Sequence, residues 1–328
     1  MCGFIGYFNN NKLNEKVISN ALNLIEHRGP DGKNILKDNK TNLYLGFCRL
    51  SIQDVSIKAM QPFYDNSKNI IILFNGEIYN FLELREVLIN LQYDFKTKSD
   101  TEVLLLGYKE WGIQNLLKKI KGMFSFVIID KRINKVYLVR DHFGIKPLYY
   151  STINRLIFSS EIKPITYLSN TIEWNNEAAI SSLFNGMPQI GRTPYKNIHE
   201  VKPGNFLTYD LKTTSLETFQ YFTPRELVNE NEYNSINRMT NSEVTEHFNT
   251  LLTKSVNDHL VSDVEVGSCF SAGLDSSLIS SIANRNNNLK DFKLFCFLSK
   301  QDEGIIKKNA SKFKNKYGNE LIYINEDD

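Results

Sequence analysis

Cysteine is scarce in this chain: four in 328 residues, at Cys2, Cys48, Cys269 and Cys296. So thin a set makes no disulfide framework, and no Cys-x-x-Cys spacing marks a zinc site. That usage fits a reducing compartment. Net charge is scarce as well. Thirty-nine Lys and Arg face thirty-seven Asp and Glu, which leaves +2. No strong field of one sign directs the chain to nucleic acid or to a membrane surface. Long apolar runs are missing, and none approaches the ~18 residues of a membrane span. No basic segment followed by an apolar run opens the chain, so no secretory signal is expected. These absences together predict a cytoplasmic protein with neither nucleic acid nor membrane as partner.

What is present is length, enough for two domains with sizeable cores. The first eight residues, MCGFIGYF, organise the rest. Cys2 follows the initiator Met1 and is small enough for that Met to be removed. The mature chain would then begin with a thiol and a free α-amine on one residue. A thiolate is the reactive form of cysteine, and an α-amine with a pKa of roughly 7.7–8.0 is partly neutral near pH 7–8. Such an amine can take the thiol proton, the logic of an N-terminal nucleophile. Taken alone, Met-Cys is equally a small apolar start to a strand.

Residues 2–8 predict a buried strand, and 14–26 carry a helical face. His27-Arg28-Gly29-Pro30-Asp31-Gly32 is a turn-rich loop, either solvated or able to close over a substrate. Strands are expected at 43–48 and 70–74, the second ending in the turn signal Asn75-Gly76. Helices follow at 80–92 and 101–112, with Ser99 as cap and acids in the first turn. More strands are expected at 123–130, 135–140, 147–151 and 156–159. Short paired strands with helices between them suggest layered sheets with helices outside. Residues 222–242 are poor in apolar side chains and read as linker. Residues 243–260 are amphipathic, with His247 and His259 expected to pack rather than to bind metal. From 264 onward a βαβα pattern begins, with a helix expected at 302–317, and it looks incomplete as a parallel nucleotide-binding sheet.

Hydrolysing a glutamine amide needs a nucleophile, donors for the oxyanion, and groups for the amino acid's own charges. Cys2 supplies the first. Asn75 and Gly76 offer a side-chain amide and a backbone N–H as donors. Arg49 is a fork for the α-carboxylate, and Glu77 or Asp100 would receive the α-ammonium. Singly, each has a plain structural reading. Residues Ser271 to Ser277 follow another logic. Small residues between a strand and a helix let N–H groups and hydroxyls wrap a phosphate, and Asp275 would hold Mg²⁺ on a pyrophosphate. The loop lacks the Lys of an ordinary P-loop.

Together these stretches resemble the glutamine-hydrolysing asparagine synthetase family. The matching motifs are MCGFIGYF, HRGPDG, GFCRLSI, MQPF, FNGEIYNFLELR, SDTEVLL, GMFSFVIID, VRDHFGIKPLYY, FSSEIKP, VKPG and FSAGLDSS. They run in the family's order across almost the whole chain. The resemblance implies an α/β chain of three parts. Residues 2–210 would form a glutaminase domain, an N-terminal nucleophile hydrolase αββα sandwich. Residues 211–242 would be a linker, and 243–328 would open a doubly wound ATP-pyrophosphatase-type domain. It implies Cys2, Asn75 and Gly76 as catalytic residues and Arg49, Asn75, Glu77 and Asp100 as glutamine-binding. It places ATP at Phe270, Ser271, Gly273, Asp275, Ser276, Ser277 and Phe297, with Mg²⁺ at Asp275. Ammonia from glutamine would pass to an aspartate activated by ATP, giving asparagine, AMP and pyrophosphate. A homodimer is compatible with this family.

Two departures stand out. The family's loop has Gly where this chain has Ala272. Family members also continue well beyond residue 328, so the synthetase half is expected to be truncated. That leaves two alternatives open, a stand-alone glutaminase and amidation of a carboxylate other than free aspartate. A non-catalytic remnant sits poorly with the intact pocket residues. Glucosamine-phosphate synthases and amidophosphoribosyltransferases share the first domain's chemistry but not the Ser271–Ser277 loop.

Overall fold

The computed structural model describes residues 1–8, 14–39, 41–153, 155–169, 173–186, 189–285, 292–298 and 303–325. They form two compact units, Met1–Val228 and Asn229–Asp328, and each is taken by itself.

The first unit opens with β1 (Gly3–Phe8), α1 (Glu15–Asn23), β2 (Gly32–Asp38) and β3 (Leu43–Arg49). Then come β4 (Phe63–Tyr64), the long β5 (Ile70–Ile78), α2 (Phe81–Asn90), α3 (Asp100–Lys119) and the strands β6 (Gly122–Asp130) and β7 (Lys135–Arg140). After them run β8 (Tyr149–Ser151), β9 (Ile157–Ser159), α4 (Ile162–Ser169), α5 (Asn176–Asn185), β10 (His199–Glu200), β11 (Asn205–Asp210) and β12 (Leu216–Gln220). The strands make two six-stranded sheets, β10-β8-β9-β1-β3-β2 and β12-β11-β7-β6-β5-β4. Every pairing within them is antiparallel.

Three cores layer these elements. Phe4, Phe8, Leu45 and Phe47 of one sheet meet Ile71, Leu73, Val127 and Leu138 of the other. Ile18 and Leu22 of α1 and Ile165 of α4 cover the outer face of the first sheet. Leu84 and Leu88 of α2 and Val103 and Leu104 of α3 cover the second. Helix, sheet, sheet, helix is the αββα sandwich that the resemblance implies.

The two-residue period of a strand then aims the site. Ile71 and Leu73 point between the sheets, while Ile70, Ile72 and Phe74 point to the helices. Asn75 and Glu77 share the parity of Ile71 and Leu73. Cys2 shares that of Phe4 and Phe8 and packs against the inter-sheet core. One end of that layer thus collects both.

Three sequence expectations change here. The run from Ile70 does not turn at Asn75-Gly76. β5 continues to Ile78, with Asn75 opposite Ser125 and Gly76 opposite Phe124. The glycine serves close approach instead, since a Cβ on Gly76 would lie 2.2 Å from the Met123 carbonyl oxygen. The helix expected at 101–112 breaks at Gly112, where φ is 70°, and resumes to Lys119. The first unit also extends past residue 210, because β12 pairs with β11 from Asn205 to Tyr209 and brings 216–220 into the second sheet.

The second unit contains α6 (Glu230–Ile236), α7 (Asn241–Asp258), β13 (Gly267–Cys269), α8 (Leu274–Ala283), β14 (Lys293–Leu298), α9 (Glu303–Tyr317) and β15 (Leu321–Asn325). Residue 302, where α9 was expected to begin, lies outside the described residues. Its three strands are parallel, in the order β13-β14-β15. Helix α7 begins with a reciprocal cap between Thr240 and Glu243. Its apolar stripe is only partly covered. Val256 is buried, while Val244, Phe248 and Leu251 are exposed, and so are His247 and His259. The two histidines therefore do not pack as expected.

Candidate active site

Cys2, Arg49, Asn75, Gly76, Glu77 and Asp100 all line one cavity, of about 540 Å³ with its open mouth. They come from the start of β1, the end of β3, the last residues of β5 and the first residue of α3. Sequence separation of up to about a hundred residues is closed by the inter-sheet layer and the α3 N-terminus.

The Cys2 thiol lies 3.5 Å from the Leu50 carbonyl and accepts the Leu50 N–H at 3.4 Å. Burial pushes this thiol up, opposed by the Leu50 contact, the N-terminal amine and Arg49. A thiol held protonated by burial needs a base. The N-terminal amine beside it, here on Met1, is pushed down by burial and by Lys146 and Arg28. An amine at this place gives up its proton more readily than in water.

Asn75 is 1% exposed, and its Nδ2 has no hydrogen-bond partner among the described residues. Buried polar atoms are normally paired. A donor left unpaired on the wall of a cavity that contains a thiol is set for an acceptor absent here. Gln61 braces the strand behind it. Its Nε2 donates to the Phe74 carbonyl at 3.2 Å and its Oε1 accepts the Phe74 N–H at 2.6 Å.

Arg49 is fixed by its own loop. Its guanidinium donates to the carbonyls of Ser56, at 2.6 Å, and Asp54. Asp100 opens α3 behind the cap Ser99, whose Oγ accepts the Thr101 N–H at 3.1 Å. The Asp100 carboxylate accepts the Ile78 N–H at 3.1 Å. Burial raises its pKa to about 7, with Glu77 adding to the shift and hydrogen bonds from Ile78, Thr101 and Ser99 opposing it.

Two residues of this site escaped the sequence reading. Arg28 is not part of a lid. It is buried, donates from Nε to the Cys2 carbonyl at 3.0 Å, and pairs with Glu161 at 3.1 Å. The Ser51 N–H donates to Asp31 at 2.7 Å, which ties the same loop down. Lys146 lines the cavity as well. Both sat inside motifs, HRGPDG and VRDHFGIKPLYY, but only the fold brings them to Cys2.

The loop before α8 is arranged separately, in the second unit. The Ser271 and Ser276 hydroxyls are 3.0 Å apart, and Ser276 Oγ donates to the Gly273 carbonyl at 3.3 Å. Gly273 precedes the helix without a side-chain cap, which leaves the first N–H groups for a ligand. Ser271, Gly273 and Asp275 are exposed, with Ser276 and Ser277 half-buried. Phe297 is exposed, at 58%. Phe270 could offer the loop only its backbone. Its ring is buried in the core, 4.9 Å from that of Phe313, because its N–H continues the sheet to the Phe295 carbonyl at 2.8 Å. Ala272 has φ of 59°, the left-handed region where a Cβ is strained. Among the described residues no group of three or more His, Cys, Asp or Glu is placed to hold a metal ion. No helix among them is long and apolar enough to cross a membrane.

Comparison with known proteins agrees with this layout. A family model described as glutamine amidotransferase domain matches residues 1–222, and one described as asparagine synthase matches 247–328. The asparagine synthetase [glutamine-hydrolyzing] 1 of Bacillus subtilis is 38% identical over 303 residues, covering 90% of this chain and 46% of the relative. A putative asparagine synthetase [glutamine-hydrolyzing] 2 of Methanocaldococcus jannaschii is 33% identical, covering 92% and 61%. The chain spans about half the length of the curated relatives it matches. Among solved structures, the allosteric regulatory enzyme of purine biosynthesis aligns with a TM-score of 0.52 at 14% identity, covering 99% of this chain and 80% of that one. Glutamine phosphoribosylpyrophosphate amidotransferase from B. subtilis aligns at 0.50 and 18%, covering 68% and 50%. At such identity the likeness concerns the fold alone. With 1–222 matched by one model and several of its motifs lining one cavity, the chain belongs to the glutamine amidotransferase domain family.

Proposed function

We propose that Cys2 hydrolyses glutamine and that the second unit uses the ammonia in an asparagine synthetase-type reaction. The observation that carries the first step is the unpaired, buried Asn75 Nδ2 on the wall that also holds Cys2. Removal of Met1 gives Cys2 a free amine. That amine takes the thiol proton, and the sulfur attacks the side-chain carbonyl carbon of glutamine. Asn75 Nδ2 and the Gly76 N–H receive the oxyanion. Arg49 holds the α-carboxylate, and Glu77 and Asp100 hold the α-ammonium. The amine returns its proton to the departing ammonia, which leaves a thioester on Cys2. Water then releases glutamate.

The second step rests on the open helix start after Gly273 and on the relatives' printed names. ATP phosphates would lie against Ser271, Gly273, Ser276 and Ser277, with the Phe270 backbone and the exposed Phe297 flanking the nucleotide. Asp275 supplies one carboxylate, enough for Mg²⁺ when substrate phosphates provide the remaining oxygens. ATP would activate aspartate, or a related carboxylate, and ammonia would displace AMP. A cytoplasmic location and a homodimer belong to the same reading.

The test is a paired assay with glutamine, aspartate and Mg-ATP, following glutamate in one channel and pyrophosphate with asparagine in the other. Glutamate release that disappears in Cys2→Ala is expected, together with pyrophosphate. Glutamate without pyrophosphate would refute the synthetase step and leave a glutaminase.

A further inference from the structure

The loop between β7 and β8 is heavily braced, and the mechanism above gives it no task. Asp141 is fully buried. Its carboxylate accepts N–H groups from Phe124, Phe143, Ile145 and Lys146 at 2.9–3.2 Å. Arg140 donates to the carbonyls of Lys146, Val201 and Gly144 at 2.8–3.0 Å and pairs with Glu200 at 2.8 Å. Gly144 has φ of 72°, and a Cβ there would lie 2.8 Å from Pro203. These bonds fix the backbone of Lys146, and its side chain goes into the wall of the Cys2 cavity, 7% exposed.

A buried ammonium is costly unless something opposes its charge. Burial and Arg28 push the pKa of the Lys146 ammonium down, and Glu77, Asp141 and Cys2 oppose that shift. Lys146 acts in turn on the N-terminal amine, here on Met1, which burial also pushes down and Cys2 pushes up. Cys2 itself also faces that amine, Arg49 and Asp100. While it is protonated, Lys146 favours the thiolate and disfavours a neighbouring ammonium. Both effects move the amine–thiol pair toward its working state.

We infer that Lys146 is an electrostatic positioning residue of this site, its ammonium biasing Cys2 toward the thiolate and the N-terminal amine toward the neutral base. The inference rests on Cys2 being the nucleophile of the proposed function. It gives the VRDHFGIKPLYY motif a purpose: the turn exists to aim one cation.

The test is the rate at which iodoacetamide alkylates Cys2 as pH is varied, read by mass on the N-terminal peptide because Cys269 is also exposed. Lys146→Met should move the midpoint up by about one unit. It should slow alkylation at neutral pH about tenfold and lower kcat for glutamine far more than it raises KM. Lys146→Arg should restore most of the midpoint, and Lys146→Gln should repeat the Met result if Met disturbs the wall. A midpoint that ignores Lys146→Met, or an Arg variant that behaves like Met, overturns the inference. The alkylation arm needs no turnover. A wild-type chain that labels normally but releases no glutamate would defeat the proposed function and leave this inference standing.

Discussion

Asn75 presents a buried amide nitrogen to a cavity and has no described acceptor for it. If that nitrogen meets charge only as the oxyanion forms, its loss should fall on kcat. Asn75→Ala is expected to lower kcat for glutamine by about 10²–10³-fold with little change in KM. Steady-state kinetics on the pure variant decide it, and a change confined to KM would contradict the role. Asp100 makes a second prediction. With its pKa near 7, the free site carries a neutral acid below that value and a carboxylate above it. An α-ammonium binds the carboxylate, so KM for glutamine should fall as pH rises through about 7. Asp100→Asn should abolish that limb. The same group weakens the fold. A carboxyl whose folded pKa lies above its unfolded 3.8 binds protons more tightly when folded, so stability declines as pH rises from about 4 to about 7. Asp100→Asn should therefore be more thermostable than wild type above pH 7, by a few kcal/mol at ~1.4 kcal/mol per displaced unit. Equal melting temperatures at pH 8 would contradict the assigned burial cost.

Among the elements, β5 shows what the sequence could and could not disclose. Its apolar run was legible because both faces of the strand are buried. Its continuation was not, because Asn-Gly signals a turn unless a neighbouring strand runs close enough to require glycine. Gly76 fits only against Met123 and Phe124 of β6, a contact made by residues nearly fifty positions away. The loop before α8 carries the opposite lesson. Its strand–loop–helix pattern was legible, and a Cβ at Ala272 costs about 1–2 kcal/mol should that position turn left-handed. The structure meets the condition, with φ of 59°. Ala272→Gly is expected to stabilise the second unit by about 1 kcal/mol, the strain of the Cβ less the added chain entropy of glycine. Chemical denaturation would show it as a higher midpoint. An unchanged or lower one would mean that the packing of Ala272 against its core outweighs the strain. The burial of the Phe270 ring was not legible, because it is the sheet that directs that ring to the core.

For the molecule as a whole, the Cys2 cavity is lined by residues between Met1 and Lys146, inside the compact unit ending at Val228. A domain with its own three-layer core should fold alone. A chain ending at Val228 is expected to keep its glutamine turnover within about twofold and to form no pyrophosphate. Loss of turnover would mean that the second unit completes the site. Domain order was legible because it lies in short contiguous motifs. The placing of Arg28, Gln61 and Lys146 beside Cys2 was not, because only the fold brings them there. The most direct measurement follows from the first residue of the mature chain. The wild-type protein is mixed with glutamine, quenched in acid, and its N-terminal peptide weighed. A peptide that begins at Cys2 and carries a γ-glutamyl thioester is the expected result. Turnover with Met1 retained, or an adduct anywhere other than Cys2, would contradict the N-terminal nucleophile.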